Sequence, residues 1–106
     1  MLEIDKIQVG DIGTAFRIRV MDDGVLVDIS SCTTKHIIFK KPDGTVVIED
    51  ADFYTDGTDG YMQYVAVTGD LDQAGKWKIQ GYVEFNTVGW HTVKDSFLVS
   101  DNLEVV

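Results

Sequence analysis

The stretch DQAGKWKIQGYVEF, residues 72–85, decides the fold of this chain of 106 residues. In it, apolar residues or glycine occupy every second position, and the positions between them are mainly polar or charged. The first set is Trp77, Ile79, Gly81, Val83 and Phe85, and the second is Lys76, Lys78, Gln80, Tyr82 and Glu84. A period of two is typical of a β-strand with one buried and one wet face. The stretch therefore predicts a central strand whose odd-numbered positions line the core.

A tight corner precedes this strand. Asp72 and Gly75 supply turn chemistry, and the large aromatic side chain of Trp77 enters the strand two residues after the glycine. In immunoglobulin-like sandwiches a similar corner, with tyrosine as the aromatic residue, opens strand F. We therefore expect Asp72, Gly75 and Trp77 to form a structural corner, with the indole in the core beneath it.

The remainder of the chain also predicts short strands separated by turns. Asp22-Asp23-Gly24, Pro42-Asp43-Gly44, residues 55–60 and residues 86–89 carry the residue types that turns favour. Strands are expected at 2–9, 14–21, 25–29, 34–41, 45–49, 61–67, 77–85 and 90–99, with 50–54 continuing or kinking the fifth strand. The inward positions are expected to include Leu2, Ile4, Phe16, Ile18, Ile37, Phe39, Val93, Phe97 and Val99.

These spacings predict an all-β fold of about seven to eight strands in a single domain, residues 1–106. No window of about 10 to 12 residues has a helical period. At most, one helical turn is expected at 69–72, with Leu71 tucked under it. The pattern leaves a β-sandwich and a small barrel open as alternatives.

The charge of the chain disfavours two kinds of partner. Acidic residues number 18 and basic residues 9, a formal net charge of −9. Nucleic acid and anionic membrane surfaces are themselves negative, so we expect neither as a partner. An acidic surface serves solubility or matches a basic patch on another protein.

The single cysteine and the first residues bear on where the protein is made. Cys32 has no second cysteine to pair with, which fits a reducing compartment. The start, MLEIDKIQVG, lacks the basic residues and apolar run of a signal peptide. No apolar run approaches the roughly 20 residues of a membrane-spanning helix. We expect synthesis without a secretion signal.

Five short motifs recur in the same order in a family of phage proteins. They are Gly10-Asp11-Ile12-Gly13-Thr14, Phe39-Lys40-Lys41-Pro42-Asp43-Gly44-Thr45, Tyr54-Thr55-Asp56-Gly57-Thr58-Asp59-Gly60, Gly75-Lys76-Trp77-Lys78-Ile79-Gln80-Gly81 and Trp90-His91. On these motifs the chain, over nearly its full length, resembles the immunoglobulin-like N-terminal domain of tailed-bacteriophage baseplate upper proteins and their small stand-alone relatives.

The resemblance implies an immunoglobulin-like antiparallel β-sandwich with a structural role in the virion, made in the host cytoplasm. In the baseplate proteins this domain attaches to the particle, and a long C-terminal extension carries the receptor-binding apparatus. We expect no such extension after Val106, which leaves the baseplate, tail, neck and capsid surface open as locations. The implied partners are other virion proteins, in a homo-oligomer or multi-copy assembly. The family has no catalytic residues to transfer.

No pattern in the sequence indicates an enzyme, a cofactor or a metal centre. His36 and His91 are the only histidines, and with Cys32 they would complete a zinc site only by chance of folding. A calcium loop could be sought among Asp52, Asp56 and Asp59 with Gly57 and Gly60. Its spacing does not match the EF-hand, and these residue types are also the ordinary material of turns. We therefore expect no catalytic, cofactor or metal site.

Outward aromatic side chains are the best candidates for a binding surface. The candidate interface is Tyr61, Tyr82, Trp90 and His91. Aromatic side chains on the outside of a sandwich can form a protein interface or a platform for a sugar ring. Tyr82 is of most interest, because it lies on the polar face of the central strand. An ordinary surface tyrosine is the alternative.

Two functions of different classes follow. The leading hypothesis is a virion structural protein that docks and assembles through exposed strand edges and one sheet face. The alternative is a carbohydrate-binding adhesion domain that contacts glycans on the host surface. An extracellular bacterial adhesin is a third possibility, and the missing secretion signal disfavours it.

Overall fold

The computed structural model describes residues 7–86, 88–92 and 94–101 of the chain. Leu2, Ile4 and Val93, which were expected at inward positions of strands, lie outside these residues. Within the described part there are eleven β-strands and no helix. They are β1 (Ile7–Gln8), β2 (Ala15–Arg19), β3 (Met21–Asp22), β4 (Val25–Leu26), β5 (Thr34–Lys40), β6 (Val46–Asp50), β7 (Asp52–Phe53), β8 (Tyr61–Val65), β9 (Gly75–Phe85), β10 (Val88–His91) and β11 (Asp95–Ser100).

The strands form two packed sheets and one separate hairpin. The large sheet has the order β1, β11, β9, β5, β6, and β10 also pairs with β9. The small sheet has the order β2, β8, β7, and the hairpin consists of β3 and β4. All pairs are antiparallel except β1 with β11, which run parallel.

This order is that of an immunoglobulin-like sandwich. In such folds the strands conventionally called C, F and G form one sheet, extended by C′ in the variable type, while B, E and D form the other. Here β5, β9, β11 and β6 take the first set of places, and β2, β8 and β7 take the second. The prediction of an all-β, immunoglobulin-like sandwich is confirmed, and the small barrel is not formed.

Aromatic side chains from both sheets fill the centre of the core. Phe16 of the small sheet lies edge-on to Phe39 of the large sheet, with ring centroids 5.2 Å apart. Phe97 lies 5.0 Å from Phe16, and Trp77 stacks on Phe97 at 5.8 Å. All four are buried. Such contacts stabilise a core beyond the area they remove from water, so the two sheets are joined chiefly here.

β9 is the longest strand, as the alternation predicted. Trp77, Ile79, Gly81 and Val83 are buried, and β5 pairs with it along one edge from Lys78 to Glu84. The other edge is shared by two strands, β10 beside residues 82–85 and β11 beside residues 75–79. The even-numbered residues of β9 point to the outside of the large sheet.

Along the edge of β9 opposite β5, the chain forms two strands, β10 and β11, where a single strand was expected at 90–99. His91 pairs with Tyr82 and Asp95 pairs with Ile79, so the chain has one residue more than β9 between these two pairs. Thr92 marks the break: its N–H donates to the Gly81 carbonyl at 2.9 Å, and its hydroxyl accepts from the Gly81 N–H at 2.8 Å. An extra residue of this kind is a β-bulge, which bends and twists a strand.

Two further segments differ from the expected strands. The chain leaves the large sheet at Ala51, which is buried, and β7 begins in the small sheet at Asp52. Residues 50–54 therefore switch sheets instead of continuing β6. The strand expected at 25–29 is only the two-residue β4, which pairs with β3 alone. Asp23 and Gly24, with φ of 52° and 79°, join β3 to β4 in the left-handed conformation that tight hairpin turns need.

The connection from β8 to β9 carries Leu71 into the core, as expected, but through turns and bends and not through a helical turn. Asp70 fixes it, because its Oδ2 accepts hydrogen bonds from the Val67 N–H and from the Tyr64 hydroxyl. Burial and the hydrogen bond to Asp70 raise the pKa of Tyr64. The connection leads directly into the corner before Trp77.

Candidate functional site

The corner before β9 fixes Trp77 through the burial of its ring and the hydrogen bond of its indole N–H. The indole ring is buried, and its N–H donates to the backbone carbonyl of Gln73 at 3.0 Å. In the corner of immunoglobulin-like domains a tyrosine hydroxyl makes the corresponding bond to backbone a few residues upstream. Trp77 thus satisfies its polar atom locally while its ring stays in the core.

The same corner is bound to the turn between β5 and β6. Lys41 Nζ lies 3.0 Å from both carboxylate oxygens of Asp72. Gln73 donates from Nε2 to Asp43 Oδ2 at 2.8 Å and accepts from the Asp43 N–H at 3.3 Å. Gly75 has a φ of 130°, and a Cβ there would lie 2.9 Å from Pro42 Cγ. This arrangement explains why glycine occupies position 75.

Tyr82 and His91 lie side by side on the outer face of the large sheet. They belong to one row across four strands, formed by Asp50, His36, Tyr82 and His91. The rings of Tyr82 and His91 are 4.7 Å apart, and His36 stacks on Tyr82 at 6.2 Å. His36 Nε2 is 3.0 Å from Asp50 Oδ1. We call this row, which consists of three rings and the Asp50 carboxylate, the Tyr82 ladder.

The Tyr82 hydroxyl has a hydrogen-bond partner on its own strand. It donates to Glu84 Oε2 at 2.9 Å, and this hydrogen bond, followed by burial, raises the pKa of Tyr82. A Cβ at Gly89 would lie 2.2 Å from the Tyr82 hydroxyl oxygen, so the ring covers the glycine. Covering a strand glycine with an aromatic ring is a known way to stabilise a sheet. This position suits a structural tyrosine as well as a binding one.

Trp90 lies on the opposite face of β10, 5.6 Å from the ring of Phe85. It borders a groove of about 330 Å³ between β10 and the β3–β4 hairpin. The groove is lined by Val20, Met21, Asp22, Gly89, Trp90, His91 and Thr92. Trp90 and His91 therefore share this groove, whereas Tyr82 is not part of its lining.

Tyr61 lies on the outside of the small sheet, remote from the other three candidates. Its ring is 5.3 Å from the Arg19 guanidinium and 6.0 Å from the ring of Tyr54. The guanidinium of Arg17 lies 4.0 Å above the Tyr54 ring. We call these four side chains, Arg17, Arg19, Tyr54 and Tyr61, the Arg–Tyr face.

A second cationic surface lies on the outside of the large sheet. Lys40 and Lys78 are directly opposite each other on β5 and β9. With Lys94 they surround a groove of about 160 Å³, whose lining includes the apolar side chains of Ile38 and Val46. We call this surface the lysine groove.

The described residues contain no cluster that indicates metal binding. No three side chains among His, Cys, Asp and Glu in this part of the chain converge as metal ligands do. Asp56 accepts from the N–H and hydroxyl of Thr58, and Asp59 accepts from Thr55 and Tyr61, which are the bonds of an ordinary loop. Burial raises the pKa of the Cys32 thiol, which makes it a poorer nucleophile.

The sequence did not identify the Arg–Tyr face or the lysine groove as units. Alternation along β2 placed Arg17 and Arg19 outward, but their stacking partners come from β7–β8 and could be found only through the pairing of strands. Lys40 and Lys78 were outward in the same way, and their apposition depends on the register of β5 on β9. The sequence did contain one signal for these surfaces: in a strongly acidic chain, several of the few basic residues fall at outward positions of strands.

Comparison with known protein families gives one match. The model of the BppU N-terminal domain covers residues 2–105, almost the entire chain. The chain belongs to the BppU N-terminal domain family. BppU is the baseplate upper protein, so membership agrees with the resemblance found from the five motifs. A search of curated proteins found no match.

Membership in the BppU family implies a structural component of the phage baseplate, and hence of the virion. It also points to a non-enzymatic role and to contacts with other virion proteins. Among the described residues, no helix has the length and apolar character that crossing a bilayer requires.

Proposed function

We propose that this chain is a docking and assembly module of the virion, present in several copies, and that its Arg–Tyr face binds an acidic surface on a neighbouring virion protein. The observation that carries the proposal is that both arginines of this face lack a carboxylate partner among the described residues. Within the described part of the chain, neither guanidinium forms an ion pair. This is unexpected in a chain with 18 acidic residues.

The hydrogen bonds of the two arginines leave most of their donors free. Arg17 uses Nε to bind Gln63 Oε1 at 3.2 Å, and Arg19 uses Nε to bind the Asp59 carbonyl at 3.4 Å. A guanidinium has five N–H donors in a planar fork that matches a carboxylate. The Nη groups of both side chains therefore remain available to a carboxylate of another protein.

The tyrosines hold these arginines in place before any partner arrives. Stacking of Arg17 on Tyr54 and of Arg19 on Tyr61 restricts two long side chains that would otherwise lose conformational freedom on binding. Arginine and tyrosine are also the residues that most often dominate the binding energy of protein interfaces. Composition and preorganisation thus favour a docking surface over a merely soluble one.

The proposal is tested by counting this chain in purified phage particles by quantitative mass spectrometry. Wild type is expected in several copies per particle. When protein is limiting, Arg17→Gln and Arg19→Gln are each expected to lower the occupancy of the chain in particles. A loss of at least about 1.4 kcal/mol of binding free energy in each variant would weaken its affinity roughly tenfold. Lys76→Gln removes the same charge elsewhere and should bind like wild type. Absence of the wild-type chain from particles would contradict the function, and equal occupancy of the arginine variants would exclude this face.

A second candidate function is binding of host-surface glycans in the groove beside Trp90. Its support is that Trp90, whose side chain is exposed, lines one open groove together with Asp22 and His91. An aromatic face with polar groups around it suits a sugar ring. A glycan array should then show binding that Trp90→Ala abolishes and Tyr54→Ala, on the other sheet, preserves. An array without signal would eliminate this candidate.

A further inference from the structure

The lysine groove brings like charges together without compensation. Lys40 and Lys78 face each other directly on neighbouring strands, an arrangement that destabilises a sheet. In the part of the chain that the structure describes, Lys40, Lys78 and Lys94 take part in no ion pair. Three of the nine basic residues therefore surround one groove, in a molecule with ample acids to neutralise them. An anion from outside would relieve this repulsion.

The same groove also exposes apolar surface. Val46 lines it and is 55% exposed, and Ile48, paired with Ile38 in the neighbouring row, is 59% exposed. β6, which carries both, is the last strand of the large sheet on that side. A matching ligand would combine carboxylates with aliphatic side chains.

The β3–β4 hairpin has these properties. Among the described residues its two strands pair only with each other, so it belongs to neither sheet. Met21 and Val25 are 44% and 67% exposed, and they flank the exposed carboxylates of Asp22 and Asp23. The tight turn at Asp23 and Gly24 fixes the shape of the hairpin. It offers the carboxylates that the groove lacks, together with aliphatic side chains that match those of the groove.

The hairpin and the groove of one molecule lie toward different ends of β9. The hairpin borders β10, which pairs with residues 82–85, whereas the groove is built around Lys78. Four residues of strand, about 13 Å, separate Tyr82 from Lys78. The hairpin of the same molecule therefore lies away from its own groove, and a hairpin that fits the groove has to come from another copy.

We infer that the lysine groove of one copy binds the β3–β4 hairpin of a second copy, in a head-to-tail contact. Because the two surfaces differ, the contact is heterologous, and successive copies would form a ring or an open chain. The inference rests on the proposed function, which it deepens by naming a second copy as one partner in the multi-copy assembly. The Arg–Tyr face stays free for other virion proteins.

The test is sedimentation of the purified chain over a range of concentrations, with two charge reversals and their mixture. Wild type should associate at low salt and dissociate at about 0.5 M salt, where charges a few Å apart are screened. Lys78→Glu and Asp22→Lys should each weaken association at least roughly tenfold. An equimolar mixture of the two variants should recover it, because the reversed charges are again opposite. Lys76→Glu, on the same face outside the groove, is the matched control.

Each result decides the matter. Monomeric wild type at low salt, single variants that associate like wild type, or a mixture that does not recover would overturn the inference. Thermal unfolding is followed in parallel: Lys78→Glu should melt no lower than wild type, since it removes the repulsion with Lys40. If the Lys78→Glu variant is unfolded, the Lys94→Glu variant is tested in its place. If the chain does not associate as expected but is present in particles, the head-to-tail contact is refuted and the proposed function stands. If the chain is absent from particles, the proposed function is refuted and the head-to-tail contact is not.

Discussion

Lys40 and Lys41 are neighbours in sequence and have opposite surroundings. Lys41 binds both carboxylate oxygens of Asp72 and lies 5.8 Å from the ring of Trp77. Lys40 has another lysine, Lys78, as its cross-strand neighbour. The first belongs to the corner that holds the fold, and the second to the lysine groove. For these two lysines, the charge is matched at the corner that stabilises the sandwich and unmatched on the lysine groove, which we propose as a partner surface.

Removing Trp77 is the strongest way to break the corner. Trp77→Ala empties the space between Phe39 and Phe97, and a truncation of this kind costs about 3–5 kcal/mol of unfolding free energy. Trp77→Phe keeps a ring but leaves the Gln73 carbonyl without the indole N–H, so we expect a smaller loss. Urea unfolding measures both. Equal stability of Trp77→Ala and wild type would mean that the corner does not hold the fold.

Gly75 tests whether the corner needs close contact with the β5–β6 turn. Gly75→Ala places a Cβ against Pro42 in a backbone conformation unfavourable to other residues. Gly69→Ala is the control, since Gly69 also has a positive φ, of 87°, but a Cβ there would meet nothing within 4 Å. We expect Gly75→Ala to lose about 1–3 kcal/mol more than the control in thermal or urea unfolding. A similar loss for both would show that only backbone conformation matters.

Lowering the pH is a further test, because the turn that binds the corner contains a carboxylate, Asp43, whose hydrogen bonds favour its charged form. The Thr45 backbone N–H, and to a lesser degree the Thr45 and Gln73 side chains, lower the pKa of Asp43. Its contribution to stability is therefore present above the unfolded-state value of about 3.9 and is lost as pH falls through the folded-state value.

Melting temperatures between neutral pH and about pH 2 check this sign. Asp43→Asn should lose less stability on acidification than wild type, since one of the titrating groups is gone. A wild-type curve that rises on acidification would contradict the prediction.

The sequence predicted what local patterns determine. The alternation from Trp77 to Phe85 identified β9, and the Asp-Gly pairs identified the turns after β3 and β5. The hydrogen bond from Trp77 to Gln73 was also within reach, because the acceptor is only four residues upstream, as in a tyrosine corner.

What the sequence missed depends on strand register. The break between β10 and β11 arises where Thr92 meets Gly81 across the sheet, and nothing local to residues 90–99 signals it. The change of sheet at Ala51 likewise follows from pairing with β8. The candidate interface residues were each predicted to face outward, but alternation does not say which sheet or face they share. Tyr61 therefore stands apart from the Tyr82 ladder.

The central claim is that matched charges hold this fold and unmatched ones serve partners. It is tested most directly by comparing the unfolding free energies of Lys41→Met and Lys40→Met, measured by urea denaturation at a concentration where the chain is monomeric. We predict that Lys41→Met loses about 1 kcal/mol with its ion pair and ring contact, while Lys40→Met stays within about 0.5 kcal/mol of wild type or gains stability. Equal losses in the two variants would contradict the claim.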